Sequence, residues 1–185
     1  MAKMDSRLLI ALISLIPAGC STLAKRHFVP PIDPAELDDT AFVHYLASVP
    51  TVTVSEASRG VLLLLGNSDR WPTYDQRRSE LLRIGALQQR WKLEPDDTLD
   101  MGTLAYMLRV ICDLSPSVSE RLAEVTGLGD RRYALRRCVD AGLLPYQSAA
   151  QPVRGGEFVA ALTKAEKYVN FVTSPSALKT DAKMP

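Results

Sequence analysis

The residues best suited to chemistry in this chain are two groups of arginines, and the chemistry they suit is anion recognition. Arg77, Arg78, Arg83 and Arg90 form one group; Arg131, Arg132, Arg136 and Arg137 form the other. A guanidinium presents a planar fork of donors that fits a carboxylate or a phosphate. On a helix, Arg132 and Arg136 lie one turn apart and share a face. Trp91 and Tyr133 adjoin these groups and offer flat surfaces for stacking. Arg83, Arg90, Trp91, Arg132, Tyr133 and Arg136 are therefore the candidate ligand-binding residues. The competing reading is a solvated face whose arginines pair along their own helix, for example Arg136 with Asp140, which contributes little.

Other reactive side chains are few. The chain has two His and three Cys. His27 sits in a Pro-rich stretch, where a general base would be poorly fixed. His44 lies beside Phe42 and Tyr45 and reads as a partly buried, hydrogen-bonded His. The sequence contains no Gly-x-Ser-x-Gly elbow, His-Glu-x-x-His pair, phosphate-binding Walker loop or dinucleotide fingerprint. No catalytic residue, metal or cofactor is expected. Glu94, Asp96, Asp97 and Asp100 gather in one loop, but without the spacing of a calcium loop, and they read as solvated, helix-capping carboxylates. Cys112 and Cys138 admit two readings. An oxidising compartment invites a disulfide between them, whereas Cys138 takes the place that Leu81 holds in an earlier, similar segment, which suits a buried thiol. With 22 Lys and Arg against 21 Asp and Glu, the charge surplus needed to neutralise nucleic-acid phosphates is missing.

The elements that must position these residues are helices. Asp33, Pro34 and Glu36 combine an N-cap, a first-turn Pro and a capping-box partner, so a first helix is expected from 34. Thr53 with Glu56 and Thr73 with Gln76 repeat the capping box. Asp100, Ser117 and Asp130 are further caps, and Gly66, Gly85, Gly127 and Gly142 are stops. The last helix is expected from Gly155 to Val172. The sum is an all-α bundle of about seven helices, with Val52-Thr53-Val54 the lone alternating segment.

The first twenty residues, MAKMDSRLLIALISLIPAGC, have a positive start, an apolar run and small residues before Cys20. This is the layout of a secretory leader. As a helix, Leu8 to Ala18 would reach roughly 16 Å, short of the ~30 Å of a bilayer core. The ending Pro-Ala-Gly-Cys resembles a bacterial lipobox, which implies cleavage before Cys20 and acylation of its thiol. Ser21, rather than Asp, after that Cys implies the periplasmic face of the outer membrane. Removing residues 1–19 takes away Lys3, Arg7 and Asp5, so the formal charge of +1 falls to zero. The acyl chains, not charge, would hold the protein to lipid. The expected organisation is a leader over 1–19, a lipidated N-terminus and Pro-rich tether over 20–33, a helical domain over 34–172 and a disordered tail over 173–185.

Two stretches share one grammar. Residues 74–109 and 132–162 each run helix, Gly stop, apolar pair, Pro-containing loop, second apolar helix. Residues 52–65 match the second half of such a unit. Over about residues 52–165 the chain resembles the S-layer homology family. That resemblance implies three modules in a pseudo-threefold bundle, with a cell-wall glycopolymer held in grooves between them. Thr53 and Glu56 match the outer positions of the family's Thr-Arg-Ala-Glu motif, and Glu157 and Phe158 keep the register in the third segment. The motif's ligand-binding Arg has no counterpart at any of the three aligned positions. The expected function is that of a non-enzymatic, lipid-anchored envelope protein that binds peptidoglycan, another cell-wall polymer or an envelope protein. The alternative is an accessory or adaptor subunit of a membrane-associated complex with no carbohydrate ligand.

Overall fold

Most helix starts among the described residues are set by side chains that accept hydrogen bonds from first-turn amides. The computed structural model describes residues 24–66, 70–115 and 129–173. Among these it is all-α, with six helices and no strand: α1 Asp39–Ser48, α2 Val54–Leu63, α3 Tyr74–Arg83, α4 Met101–Ile111, α5 Asp130–Asp140 and α6 Gly155–Thr173. The leader, Cys20, the helix expected over 117–127 and the tail beyond 173 lie outside the described residues. No helix among the described residues is long and apolar enough to cross a membrane.

Thr53–Glu56 and Thr73–Gln76 each form both halves of a capping box. Asp100 caps α4 by accepting from the Thr103 N–H at 2.6 Å. Gly66, Gly85 and Gly142 stop their helices with φ of 70°, 77° and 73°. Two expected starts are displaced. Asp33 caps only a turn, its carboxylate accepting from the Ala35 N–H at 2.9 Å. The helix begins five residues later, with Asp38 accepting from Ala41. The cause is Arg59, which takes the carbonyls of Pro34 and Leu37 at 2.7 and 2.6 Å. Those carbonyls would be acceptors in an unbroken helix. At α5, Asp130 is the first helical residue and Gly129, at φ 79°, holds the cap position.

In chain order the helices make three pairs, α1–α2, α3–α4 and α5–α6. The residue before each second helix's cap position is a buried apolar one: Val52, Leu99 and Val153. These three backbones close a triangle. The Leu99 N–H donates to the Val52 carbonyl (2.8 Å), Val52 to Val153 (3.0 Å) and Val153 to Leu99 (2.9 Å). Buried backbone groups need partners, and here each unit supplies one to the next. The helices follow the same cycle. α2 packs on α3, α4 on α5 and α6 on α1, while α1 and α2 of one pair touch only slightly. α4 is buried on nearly every side, from Met101 through Arg109. Phe42, Leu46, Leu62, Leu81, Leu104, Leu108 and Phe158 fill the centre. Gly155 shows how close the ring closes, since a Cβ there would lie 1.8 Å from the Leu46 carbonyl oxygen.

Candidate functional site

Where α5 meets the start of α4, a cleft of about 1340 Å³ opens. Its wall is built by contacts between the second and third units. Trp91 ends a 3-10 turn, Gln89–Trp91, and is released from it by Lys92 in the left-handed region. Its indole meets the Tyr106 ring edgewise, with centroids 4.8 Å apart. The Arg131 guanidinium lies 4.4 Å over the Trp91 ring and bonds Asp100 Oδ2 at 2.8 Å. Arg90 bonds Asp130 Oδ2 at 2.6 Å. These two ion pairs run in opposite senses across the same seam, so they fix α5 against the loop that starts α4.

Arg132 and Arg136 differ from these. Both line the cleft, both are exposed, and neither has a carboxylate partner among the described residues. The Arg136–Asp140 pair of a simple solvated face is not formed among them. Tyr133 stands half-buried between the two arginines, and Tyr146, 87 % exposed, lies on the facing loop. On the same wall, Gln147 Oε1 is buried with no hydrogen-bond partner among the described residues. Among the described residues four arginines and two aspartates line the cleft, which makes this lining positive. It can therefore receive an anionic group on Arg132 and Arg136, a flat or apolar face on the aromatic rings, and a donor such as a hydroxyl at Gln147.

Five of the six residues expected to bind ligand thus share one cleft: Arg90, Trp91, Arg132, Tyr133 and Arg136. Arg83 does not join them. It lies on the outer face of α3, 70 % exposed, and grips Glu80 with two bonds of 2.7 and 2.6 Å. That pair raises the Arg83 pKa and lowers that of Glu80. The sequence reading missed Tyr146 and Gln147, which a loop brings in without any local signal. It grouped Arg131 with the other arginines but not its stacking on Trp91, a contact made only by folding.

The remaining candidates are settled by their surroundings. Cys112 and Cys138 are buried thiols and are not joined as a disulfide. Cys138 Sγ donates to the Ala105 carbonyl at 3.2 Å, and burial pushes the Cys112 thiol up to about 11. The expectation of a partly buried His44 is corrected: it is exposed, as is His27, and neither lines the cleft. In the acidic loop, Asp97 accepts from the Glu94 N–H, Glu94 pairs with Lys25, and Asp100 caps α4. Among the described residues no group of three or more His, Cys, Asp or Glu is placed to hold a metal.

A second polar cluster involves residues expected to be tether. Ala24 to Arg26 lie along the acidic loop, with the Thr98 N–H donating to the Ala24 carbonyl at 2.9 Å and the Arg26 N–H to the Asp96 carbonyl at 3.3 Å. The Arg26 guanidinium is sunk against Glu56, bonding both carboxylate oxygens at 2.8 and 2.7 Å. The Tyr45 hydroxyl donates to the same carboxylate at 2.5 Å. Burial and then the Glu56 carboxylate push the Tyr45 pKa up to about 12. The capping role of Glu56 was legible in the sequence; its burial against Arg26 and Tyr45 adds a second. The adjoining hollow of about 710 Å³ also holds Arg77, which bonds Ser58, Trp71 and Pro72 oxygens. Burial and the neighbouring Arg59 lower its pKa.

Compared with family models, curated proteins and solved structures, the chain finds no match.

Proposed function

We propose that this is a non-enzymatic, lipid-anchored protein of the bacterial cell envelope, held by Cys20 on the periplasmic face of the outer membrane, whose α4–α5 cleft binds an anionic cell-wall polymer. The observation that carries the binding half is the pair Arg132 and Arg136. They are exposed guanidiniums without carboxylate partners among the described residues, set in a positive cleft beside Trp91, Tyr133 and Tyr146. Polymers rich in hydroxyls and carboxylates present the complementary groups. Among the described residues the cleft's two carboxylates, Asp100 and Asp130, are both held in ion pairs. The anchor rests on the Pro-Ala-Gly-Cys ending of the leader.

The test is sedimentation of the chain from residue 21 onward with purified peptidoglycan. Retention is expected, and R132A/R136A should weaken it roughly tenfold, since two exposed ionic contacts of under about 1 kcal/mol each are removed. The double variant should melt with the parent, because exposed substitutions move stability by no more than about 0.5 kcal/mol. No retention over a control protein sinks the polymer half. Tyr and Arg are also the side chains that anchor protein interfaces, and Tyr146 with Arg132 and Arg136 gives that second reading its footing. A stoichiometric protein partner recovered after gentle solubilisation, without retention on peptidoglycan, establishes the adaptor instead.

A further inference from the structure

The segment expected to be a Pro-rich tether is fastened to the domain, and its outer side is apolar. Thr98, which receives Ala24, immediately precedes Leu99 of the central triangle, so the strap is tied directly to the most buried part of the fold. Arg26 adds the buried bond to Glu56 and lies 5.6 Å from the Phe28 ring. Beyond this fastening the chain reads Phe28-Val29-Pro30-Pro31-Ile32. Phe28 is 39 %, Val29 84 % and Ile32 55 % exposed. Proline at 30 and 31 restricts the backbone between them. Exposed apolar residues scattered singly need no explanation, but a short contiguous set on a fixed strap does.

We infer that Phe28, Val29 and Ile32 form a membrane-contact surface that seats the domain on the bilayer in one orientation. The inference rests on the anchoring proposed above. Cys20 precedes Ala24 by four residues, and four residues span at most about 14 Å. An acyl-anchored Cys20 therefore keeps Ala24, where the strap is fastened to the domain, within that reach of the lipid headgroups, and Phe28 follows Ala24 by four residues. Apolar side chains at that depth partition into the interface. The local charges do not require an anionic lipid, because Arg26 is paired with Glu56 and Lys25 with Glu94. Ala24 also borders the α4–α5 cleft, so the seated domain presents that cleft beside the membrane surface.

The experiment uses the processed full chain, purified from membranes and reconstituted into zwitterionic phosphatidylcholine–phosphatidylethanolamine vesicles. The exposed positions are changed one at a time, V29C, I32C and F171C, and labelled with an environment-sensitive fluorophore; the unsubstituted chain treated identically is the blank. Phe171 is the control, being 71 % exposed and 16 residues into α6 from Gly155, or about 24 Å along the helix. Lipids brominated high in the acyl chain should quench the label at 29 and 32 roughly twofold and leave 171 unchanged, as interfacial insertion requires. If the protein floats with the vesicles but 29 and 32 are as unquenched as 171, the anchor stands and the seating is overturned. If the protein fails to float and mass spectrometry finds Cys20 unmodified, the anchoring reading falls and takes this inference with it.

Discussion

Glu56 concentrates more of the molecule's logic than any other single residue. Its carboxylate caps α2 through the Thr53 N–H, receives the Tyr45 hydroxyl and holds Arg26. A buried charge that loses its partner is costly, whereas removing both charges together is milder. R26A should therefore destabilise the domain by about 3 kcal/mol. R26A/E56Q should recover part of that loss, since no unpaired carboxylate remains. Urea unfolding of the two variants and of E56Q completes the cycle and isolates the coupling. A loss in R26A/E56Q equal to the sum of the losses in R26A and E56Q would show that the ion pair carries no energetic weight. Two buried or half-buried groups also set an alkaline limit. Cys112 rises from 9.0 to about 11 and Tyr45 from 10.0 to about 12 on folding. Each stays protonated in the folded state where the unfolded chain has already lost the proton. Their contribution is thus complete below pH 9 and disappears as pH rises towards 12. Melting curves should show the midpoint declining across that window, and a constant midpoint to pH 12 would contradict both shifts.

Among the elements, the α1–α6 contact is the most sensitive to a single carbon. A Cβ at Gly155 would meet the Leu46 carbonyl oxygen at 1.8 Å and that of Val49 at 2.7 Å, whereas at Gly156 the nearest such atom, the Ala47 carbonyl oxygen, is 4.0 Å away. Backbone atoms on a helix cannot step aside as a side-chain tip can. G155A should cost about 3 kcal/mol or more through overpacking, while G156A should fold and melt like the parent. Circular dichroism melts of the pair decide it, and indifference to both would mean that the helices do not approach this closely. This scale also marks what the sequence discloses. Capping boxes at Thr53 and Thr73 and the Gly stops are local chemistry and were readable. The start of α1 was not, because the deciding residue, Arg59, lies more than twenty positions downstream. Arg132, Tyr133 and Arg136 were readable as a group because one helix displays them. Arg83 stands apart from them: sequence proximity groups it with Arg90, but the two lie on different elements, and Arg83 is turned outward to Glu80. The fastening of the strap was not legible because nothing local in Ala24–Phe28 announces that Glu56 lies thirty residues from Arg26.

At the scale of the whole molecule, the helix-pair grammar becomes a closed cycle. Two of the three pairs were visible as repeated Gly stops and apolar runs, and α1 supplies the missing first half of the remaining pair. Closure itself depends on three amides, those of Val52, Leu99 and Val153, which bond one another rather than water. Each belongs to a different unit, so opening any side of the triangle separates two units at once. Because every unit packs mainly on its neighbours, and only slightly within itself where α1 meets α2, no pair can leave without exposing the faces of the others. Helix units of this kind gain their stability from the interfaces between them. Local opening should therefore be confined to segments away from the triangle. Native-state hydrogen exchange should find these three amides, together with those of Leu104 to Leu108 on α4, exchanging only through global unfolding, with protection free energies that match the urea-derived stability. Exchange at Val153 by a cheaper local route, with Val52 and Leu99 still protected, would mean that α6 detaches by itself and that the ring is an open stack.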